Sequence, residues 1–280
     1  MDKRPKERKL KRYKIWTGPL RLLPDFIIIG GQKCGTTTLY DNVVKHPMVG
    51  KSYRKEVHYF NHNFKRGLNW YRANFPTVFS KIWRKGFLRQ PYKVGEATPY
   101  YIFHPLAAQR AHNLVPNAKL ILLLRNPVDR AYSHYQMEVR RGNEDLPTFE
   151  EALEKEEARL ANYEAELKKD PLYYCFSHHH HAYKGRGRFA EQLAVWDKYY
   201  PREQMLILTS SELSAKPTET YNRLFEFTGL PHFDLGELKR SNVGKYDKMK
   251  PETRQYLVDY FRPHNQRLYE MVGRDLGWDK

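Results

Sequence analysis

Short continuous apolar runs alternate along the chain with longer stretches in which apolar positions recur every three or four residues. The first pattern predicts strands buried on both faces, and the second predicts helices with one core-facing side. "DFIIIG" at 25–30 reads as a buried strand. A helix follows from Thr36 to about His46, with Leu39, Val43 and Val44 on one side, and Pro47 closes it. "KSYRKEVHYF" at 51–60 reads as mixed strand or loop, "LNWYRANF" at 68–75 as a short helix, and "YKVGEATPYY" at 92–101 as a short strand running into a loop. After a helix over about 104–114 comes the clearest strand, "KLILLLRNP" at 119–127, and then the helix "VDRAYSHYQMEVRR". Residues 148–169 read as one long charged helix whose acids form a solvated face. A helix beginning near Gly187, the strand "QMLILTS" at 204–210, a helix over roughly 217–228 and a last helix near 251–272 complete the chain. Leu257, Tyr260, Phe261 and Leu268 lie on the core face of that last helix.

Strands alternating with helices predict an α/β fold with a mostly parallel central sheet and helices on both faces. The pattern divides into a basic arm over 1–20 and a single domain over 21–280, with a helical insertion around 146–185. Composition supports a packed core, because 40% of the 280 residues are hydrophobic and 14% aromatic. No run approaches a membrane span, and the charged start of the chain is unlike a secretory signal. Two cysteines, Cys34 and Cys175, make no disulfide framework and favour a reducing compartment. Together these predict a cytoplasmic protein.

Charge narrows the partners. The formal net charge is +17, of which residues 1–14 contribute +6 and the remaining chain +11. A basic body favours an anionic ligand or substrate: a nucleotide, a nucleic acid, a charged glycan or a membrane surface. No recognisable nucleic-acid motif accompanies the charge, so no specific nucleic-acid partner is expected.

The stretch "FIIIGGQKCGTTTLY" at 26–40 carries the chemistry. A strand, a glycine-rich turn and a helix start together make an anion site of outward N–H groups and a favourable helix dipole. Gly30, Gly31 and Gly35 admit a close anion, and Thr36, Thr37 and Thr38 add hydroxyl donors. Gly30 and Gly35 have the spacing of a nucleotide-triphosphate loop, but Thr36 stands where that loop has its lysine. The lysine of this loop is Lys33, and no aspartate at a strand end offers a magnesium ligand. A phosphate-like group held without a metal is the reading that fits. The strand at 119–124 ends instead in Arg125, a forked cation for phosphate, with Ser133 eight residues on, two turns into the following helix.

"GGQKCGTTTL" and "RNPVDRAYSHY" resemble the two signatures of the sulfotransferases that use 3′-phosphoadenylyl sulfate (PAPS), which have a P-loop-like three-layer sandwich. "KEVHYF", "GLNWYRANFP", "GEATPYY" and "GRGRFAEQLAVWDKYYPREQMLIL" are similar to the glycan-modifying branch typified by heparan sulfate N- and 3-O-sulfotransferases. The resemblance covers most of 24–278. It implies that residues 33–38 (Lys33, Cys34, Gly35, Thr36, Thr37 and Thr38) bind the 5′-phosphosulfate, and that Arg125, Ser133 and Lys245 bind the 3′-phosphate. It further implies that Glu56 is the base, Lys33 assists the leaving phosphate and His58 orients base or acceptor. Lys55 and Glu96 are further candidates for substrate or cofactor contacts. The donor product is 3′,5′-ADP, and no metal is required.

The acceptor is less defined. Asn61 stands where 3-O-sulfotransferases have an aspartate and Ala97 where they have a substrate-side lysine, so a saccharide leads and a lipid or polyketide hydroxyl fits as well. The run "HHHH" at 178–181 lacks ligand spacing and reads as a surface loop near the acceptor cleft rather than a metal site. Two other function classes compete: a P-loop nucleotide kinase or NTPase, and a non-catalytic polyanion-binding module.

Overall fold

A computed structural model describes residues 10–238 and 246–279. Elements in chain order are α1 (Arg12–Trp16), β1 (Phe26–Gly30), α2 (Thr36–Val43), β2 (Val49–Lys51), α3 (Leu68–Arg72), α4 (Val78–Ile82), β3 (Lys93–Ala97), α5 (Ala107–Leu114) and β4 (Lys119–Leu124). They continue with α6 (Pro127–Arg141), α7 (Phe149–Leu160), α8 (Tyr163–Lys169), α9 (Phe176–His180), α10 (Phe189–Asp197), β5 (Met205–Thr209), α11 (Ser210–Ala215), α12 (Pro217–Thr228) and α13 (Pro251–Val272). The residues pack as two compact units, one of 10–124 with 196–238, the other of 125–195 with 246–279.

The first unit holds the whole sheet. Its five strands are all parallel in the order β2-β3-β1-β4-β5, with helices around them. β1 and β4 are apolar along their length because both faces are covered: Phe26 through Ile29 and Leu120 through Leu124 are essentially inaccessible. The chain fills one side of β1 with β2 and β3, then crosses to the other side with β4 and β5. In such open sheets ligands bind beyond the carboxyl ends of the strands, beside the reversal of strand order. The loops at 31–35 and 52–63 and the end of β3 lie at those carboxyl ends.

The second unit packs α6, α7 and α13 around Val128, Tyr135, Phe149, Leu153, Tyr183, Leu257 and Phe261. Pro127 at its first turn and the Asn126 side chain, which accepts from the Val128 N–H at 2.9 Å, start α6. Tyr260 is only half-buried, at the edge of that core rather than in it.

Two sequence-based expectations fail in this unit. Residues 148–169 form two helices, because the chain turns at 161–162 and thereby buries Tyr163 and Leu167. Glu156 is buried rather than solvated, since its carboxylate accepts from the Lys184 and Gly185 N–H groups at 2.6 and 2.8 Å. The histidine run is no surface loop. His178 to His180 belong to α9, and His178, His180 and His181 are buried. His178 stacks on Tyr163, His180 meets Glu138 at 2.8 Å, and His181 Nε2 meets the Asn143 carbonyl at 2.9 Å. Polar partners from other segments make burial tolerable.

Candidate active site

The loop after β1 is built for close approach. A side chain at Gly30 would collide with Ile102, whose methyl would lie 2.4 Å from the added carbon. Gly35 caps α2 at φ +98°, in the left-handed region glycine adopts without cost. The Gly31 N–H donates to the Leu123 carbonyl at 2.7 Å, which ties the loop to β4. Cys34 is buried, and neither cysteine is in a disulfide. Thr36 is buried, and Lys33, Thr37 and Thr38 are half-exposed around the first turn of α2.

The segment after β2 meets this loop through one lysine. Lys55 Nζ donates to Thr37 Oγ1 and stands 3.8 Å from Glu56 Oε1. On its other side Glu56 Oε2 lies 3.5 Å from His58 Nε2. Asn61 Nδ2 contacts His58 Nδ1 at 3.2 Å; with that amide donating, the ring proton falls on Nε2, toward Glu56. The ion pair with Lys55 is long and the Glu56 side chain is 44% exposed, so its carboxylate is open to a ligand.

Among the described residues, Lys33, Glu56, His58 and Arg89 are the non-glycine residues with positive φ, at +67°, +59°, +54° and +51°. Three of the four are the residues to which the sequence assigns catalysis. Left-handed backbone costs an L-residue about 1–2 kcal/mol and persists where surrounding contacts over-determine it.

At Glu56 and His58 those contacts are visible. The Glu56 N–H donates to the Ala97 carbonyl at 2.9 Å, and the Tyr59 N–H to the Tyr101 hydroxyl at 2.8 Å. The His58 N–H faces Thr98 Oγ1 at 3.4 Å, while Arg110 Nη1 donates to the Phe60 carbonyl at 3.0 Å. Beneath them lies Glu96, wholly buried, accepting from Tyr71 at 2.6 Å and Thr98 at 3.3 Å. Burial pushes its carboxyl up to about 7, against the opposing pull of hydrogen bonds from Tyr71, Thr98 and Tyr101. Thr98 and Tyr101 thus face the Glu96 carboxylate on one side and the His58–Tyr59 backbone on the other. Glu96 supports the site from below and has no surface toward solvent. Sequence reasoning passed over Tyr71, Thr98, Tyr101 and Arg110, although "GLNWYRANFP" and "GEATPYY" contain three of them.

In the other unit, Arg125 follows β4 directly and is half-buried, and Ser133 is buried on α6. Lys245 lies outside the described residues. No group of three His, Cys, Asp or Glu among the described residues is arranged to hold a metal ion.

A family model described as "Sulfotransferase domain" matches residues 23–264. The chain belongs to the sulfotransferase family. This sulfotransferase is 30% identical over 93% of its length to the membrane-associated sulfotransferase kil1 of Dictyostelium discoideum, of which it covers 68%. It is 30% identical over 89% of its length to human bifunctional heparan sulfate N-deacetylase/N-sulfotransferase 3, and 29% over 92% to mouse heparan sulfate glucosamine 3-O-sulfotransferase 3B1. It covers 30% and 65% of those two proteins. A crystal structure of a sulfotransferase from Alicyclobacillus acidocaldarius superposes with a TM-score of 0.69 at 28% identity, covering 92% of this chain and all of that one. The P-loop-like α/β fold is therefore as the sequence predicts, and the protein is an enzyme that transfers sulfuryl groups. A nucleotide kinase and a non-catalytic polyanion-binding module are set aside. No helix among the described residues of the sulfotransferase is long and apolar enough to cross a membrane.

Proposed function

We propose that the enzyme moves a sulfuryl group from PAPS to an acceptor hydroxyl or amine, foremost on a saccharide, by in-line displacement without a metal. The observation that carries this reading is the chain of contacts Thr37–Lys55–Glu56–His58, which joins the anion-binding turn to an exposed carboxylate. The donor set fits a phosphosulfate: helix N–H groups, threonine hydroxyls, and cations in place of carboxylates.

Glu56 takes the acceptor proton, so the acceptor oxygen can form its bond to sulfur while the sulfur–oxygen bond to phosphate breaks. Lys33 stabilises the charge that develops on the leaving phosphate. His58 holds Glu56 through its Nε2 proton. Arg125, Ser133 and Lys245 are assigned to the 3′-phosphate, and residues 34–38 to the 5′ side. The saccharide acceptor is supported by the similarity to enzymes named for heparan sulfate, and a cytoplasmic location by two cysteines that form no disulfide. Residues 21–280 act as one catalytic domain in this reading.

Thermal unfolding with added nucleotides tests the donor. Saturation with 3′,5′-ADP at about 100 times its dissociation constant stabilises a single-site protein by about 2.7 kcal/mol. A melting-temperature rise with 3′,5′-ADP in chelator supports the proposal. Stabilisation by magnesium–ATP and none by 3′,5′-ADP refutes it.

A further inference from the structure

The segment over 78–88 inverts the usual amphipathic rule. Phe79, Ile82, Trp83 and Phe87, on α4 and the π-helical turn after it, have the i, i+3, i+4, i+8 spacing that elsewhere marks a core-facing side. Here all four are exposed, Phe87 to 71%, and Leu88 beside them is exposed too. Trp83 and Phe87 stack on one another with centroids 4.5 Å apart. A second exposed group, Tyr13, Trp16 and Leu20, sits on α1 and the turn after it, with Trp16 83% exposed. Both groups spring from one backbone joint. Arg21 bridges to Thr77, the Leu22 N–H donates to the Pro76 carbonyl at 2.9 Å, and Arg21 Nη1 donates to the Phe75 carbonyl at 2.8 Å. Exposed apolar groups of this extent mark an interaction surface.

Charge identifies what covers it. From Val57 to Gly95 the sequence contains eight lysines and arginines and no aspartate or glutamate. Residues 8–24 add six more cations, again without an acid. Lys81 is paired with Asp25 at 3.1 Å, and Arg84 donates to the Pro47 carbonyl at 2.7 Å, whereas Lys85 and Arg89 are exposed among the apolar side chains. Protein interfaces deplete lysine at their centres. Aromatic and aliphatic side chains interleaved with cations, with Asp25 neutralised by Lys81 and no acid within the two segments themselves, suit the boundary of an anionic bilayer.

We propose that this face docks the enzyme on an anionic lipid surface. Phe79, Ile82, Trp83, Phe87 and Leu88 enter the headgroup–acyl boundary while Lys85 and Arg89 meet the headgroup anions. The inference goes beyond the transfer reaction and stands independently of which donor and acceptor the enzyme uses.

Co-sedimentation of the full chain with phosphatidylcholine vesicles, with and without phosphatidylserine, tests it. The wild type is expected on the anionic vesicles, with binding that falls as salt rises. The double variants Trp83→Ala/Phe87→Ala and Lys85→Glu/Arg89→Glu should each lose roughly ten-fold or more in partitioning, about 1.4 kcal/mol by the tenfold relation. Their melting temperatures should match the wild type, since the side chains are exposed. Three results overturn the proposal: no vesicle binding by the wild type, vesicle binding unchanged by the aromatic pair, or a concentration-dependent dimer that the aromatic pair abolishes. The second would assign binding to basic charge alone, and the third would make the face an interface between copies of this chain.

Discussion

Replacing Glu96 by Gln isolates the buried carboxylate under the active-site loop. Glu96 is inaccessible to solvent, and burial lifts its carboxyl from 4.5 to about 7 despite the hydroxyls donating to it. In the unfolded chain the group titrates at its ordinary value. Between these two pH values the folded protein holds a proton that the unfolded chain has released. The stability from this group is therefore fully present below pH 4.5 and is lost as pH rises through about 7. At 1.36 kcal/mol per pH unit, the window is worth about 3 kcal/mol. Gln keeps the carbonyl acceptor and the shape but has no proton to release. The assay is urea unfolding followed by far-UV circular dichroism, for wild type and Glu96→Gln, at intervals from acid to mildly alkaline pH. The variant's unfolding free energy minus that of the wild type should climb by about 3 kcal/mol across the window and then level off. A difference that stays flat to within about 0.5 kcal/mol, near the limit of such measurements, would refute the reasoning.

Other consequences are more local. Tyr101→Phe leaves the Tyr59 N–H without its acceptor and loosens the loop carrying Glu56 and His58; kcat should fall about 10–100-fold in a sulfate-transfer assay. Thr98→Val should act in the same direction through the His58 N–H, with KM for donor nearly unchanged. In the other unit, Arg159 grips the buried Glu144 with two hydrogen bonds of 2.8 and 2.9 Å. Arg159→Met removes the cation but leaves that carboxylate its hydrogen bonds from Tyr183 and from the Asp145 and Leu146 N–H groups, and should cost about 1–3 kcal/mol in chemical denaturation. Burial pushes Glu144 up, but the hydrogen bonds from Arg159 and Tyr183 outweigh it and hold the carboxyl at about 2. Its stabilisation is present above pH 4.5 and disappears as pH falls toward 2, so Arg159→Met should flatten acid unfolding in that range.

The parts of the fold legible in sequence are those whose signal is local. β1 and β4 are buried on both faces, so their residues form continuous apolar runs, and the glycine turn and threonines after β1 announce the helix that follows. The three-residue β2 is too short to carry a period. At 78–88 the spacing is helical but the apolar side faces out, an orientation that spacing alone does not encode. The histidine run looks hydrophilic because its partners, Tyr163, Glu138 and Asn143, are remote in sequence or come from other elements. In the site, the residue types at Lys33, Glu56 and His58 were readable from motifs. Their left-handed backbones were not, because no glycine marks them; at Glu56 and His58 the contacts of Ala97, Thr98 and Tyr101 hold the segment in place. Glu96 stood in a quoted motif as a substrate or cofactor contact, and the packing of Tyr71 and Thr98 against it shows its burial.

The central claim is that Glu56 deprotonates an acceptor for sulfuryl transfer from PAPS. Transfer of labelled sulfate from PAPS in chelator, compared for wild type and Glu56→Gln across saccharide acceptors, tests it most directly. The account predicts metal-independent transfer by the wild type, and a variant that melts normally and is stabilised by 3′,5′-ADP yet transfers about 10²–10⁴-fold more slowly. Transfer by Glu56→Gln within about three-fold of the wild-type rate would contradict it.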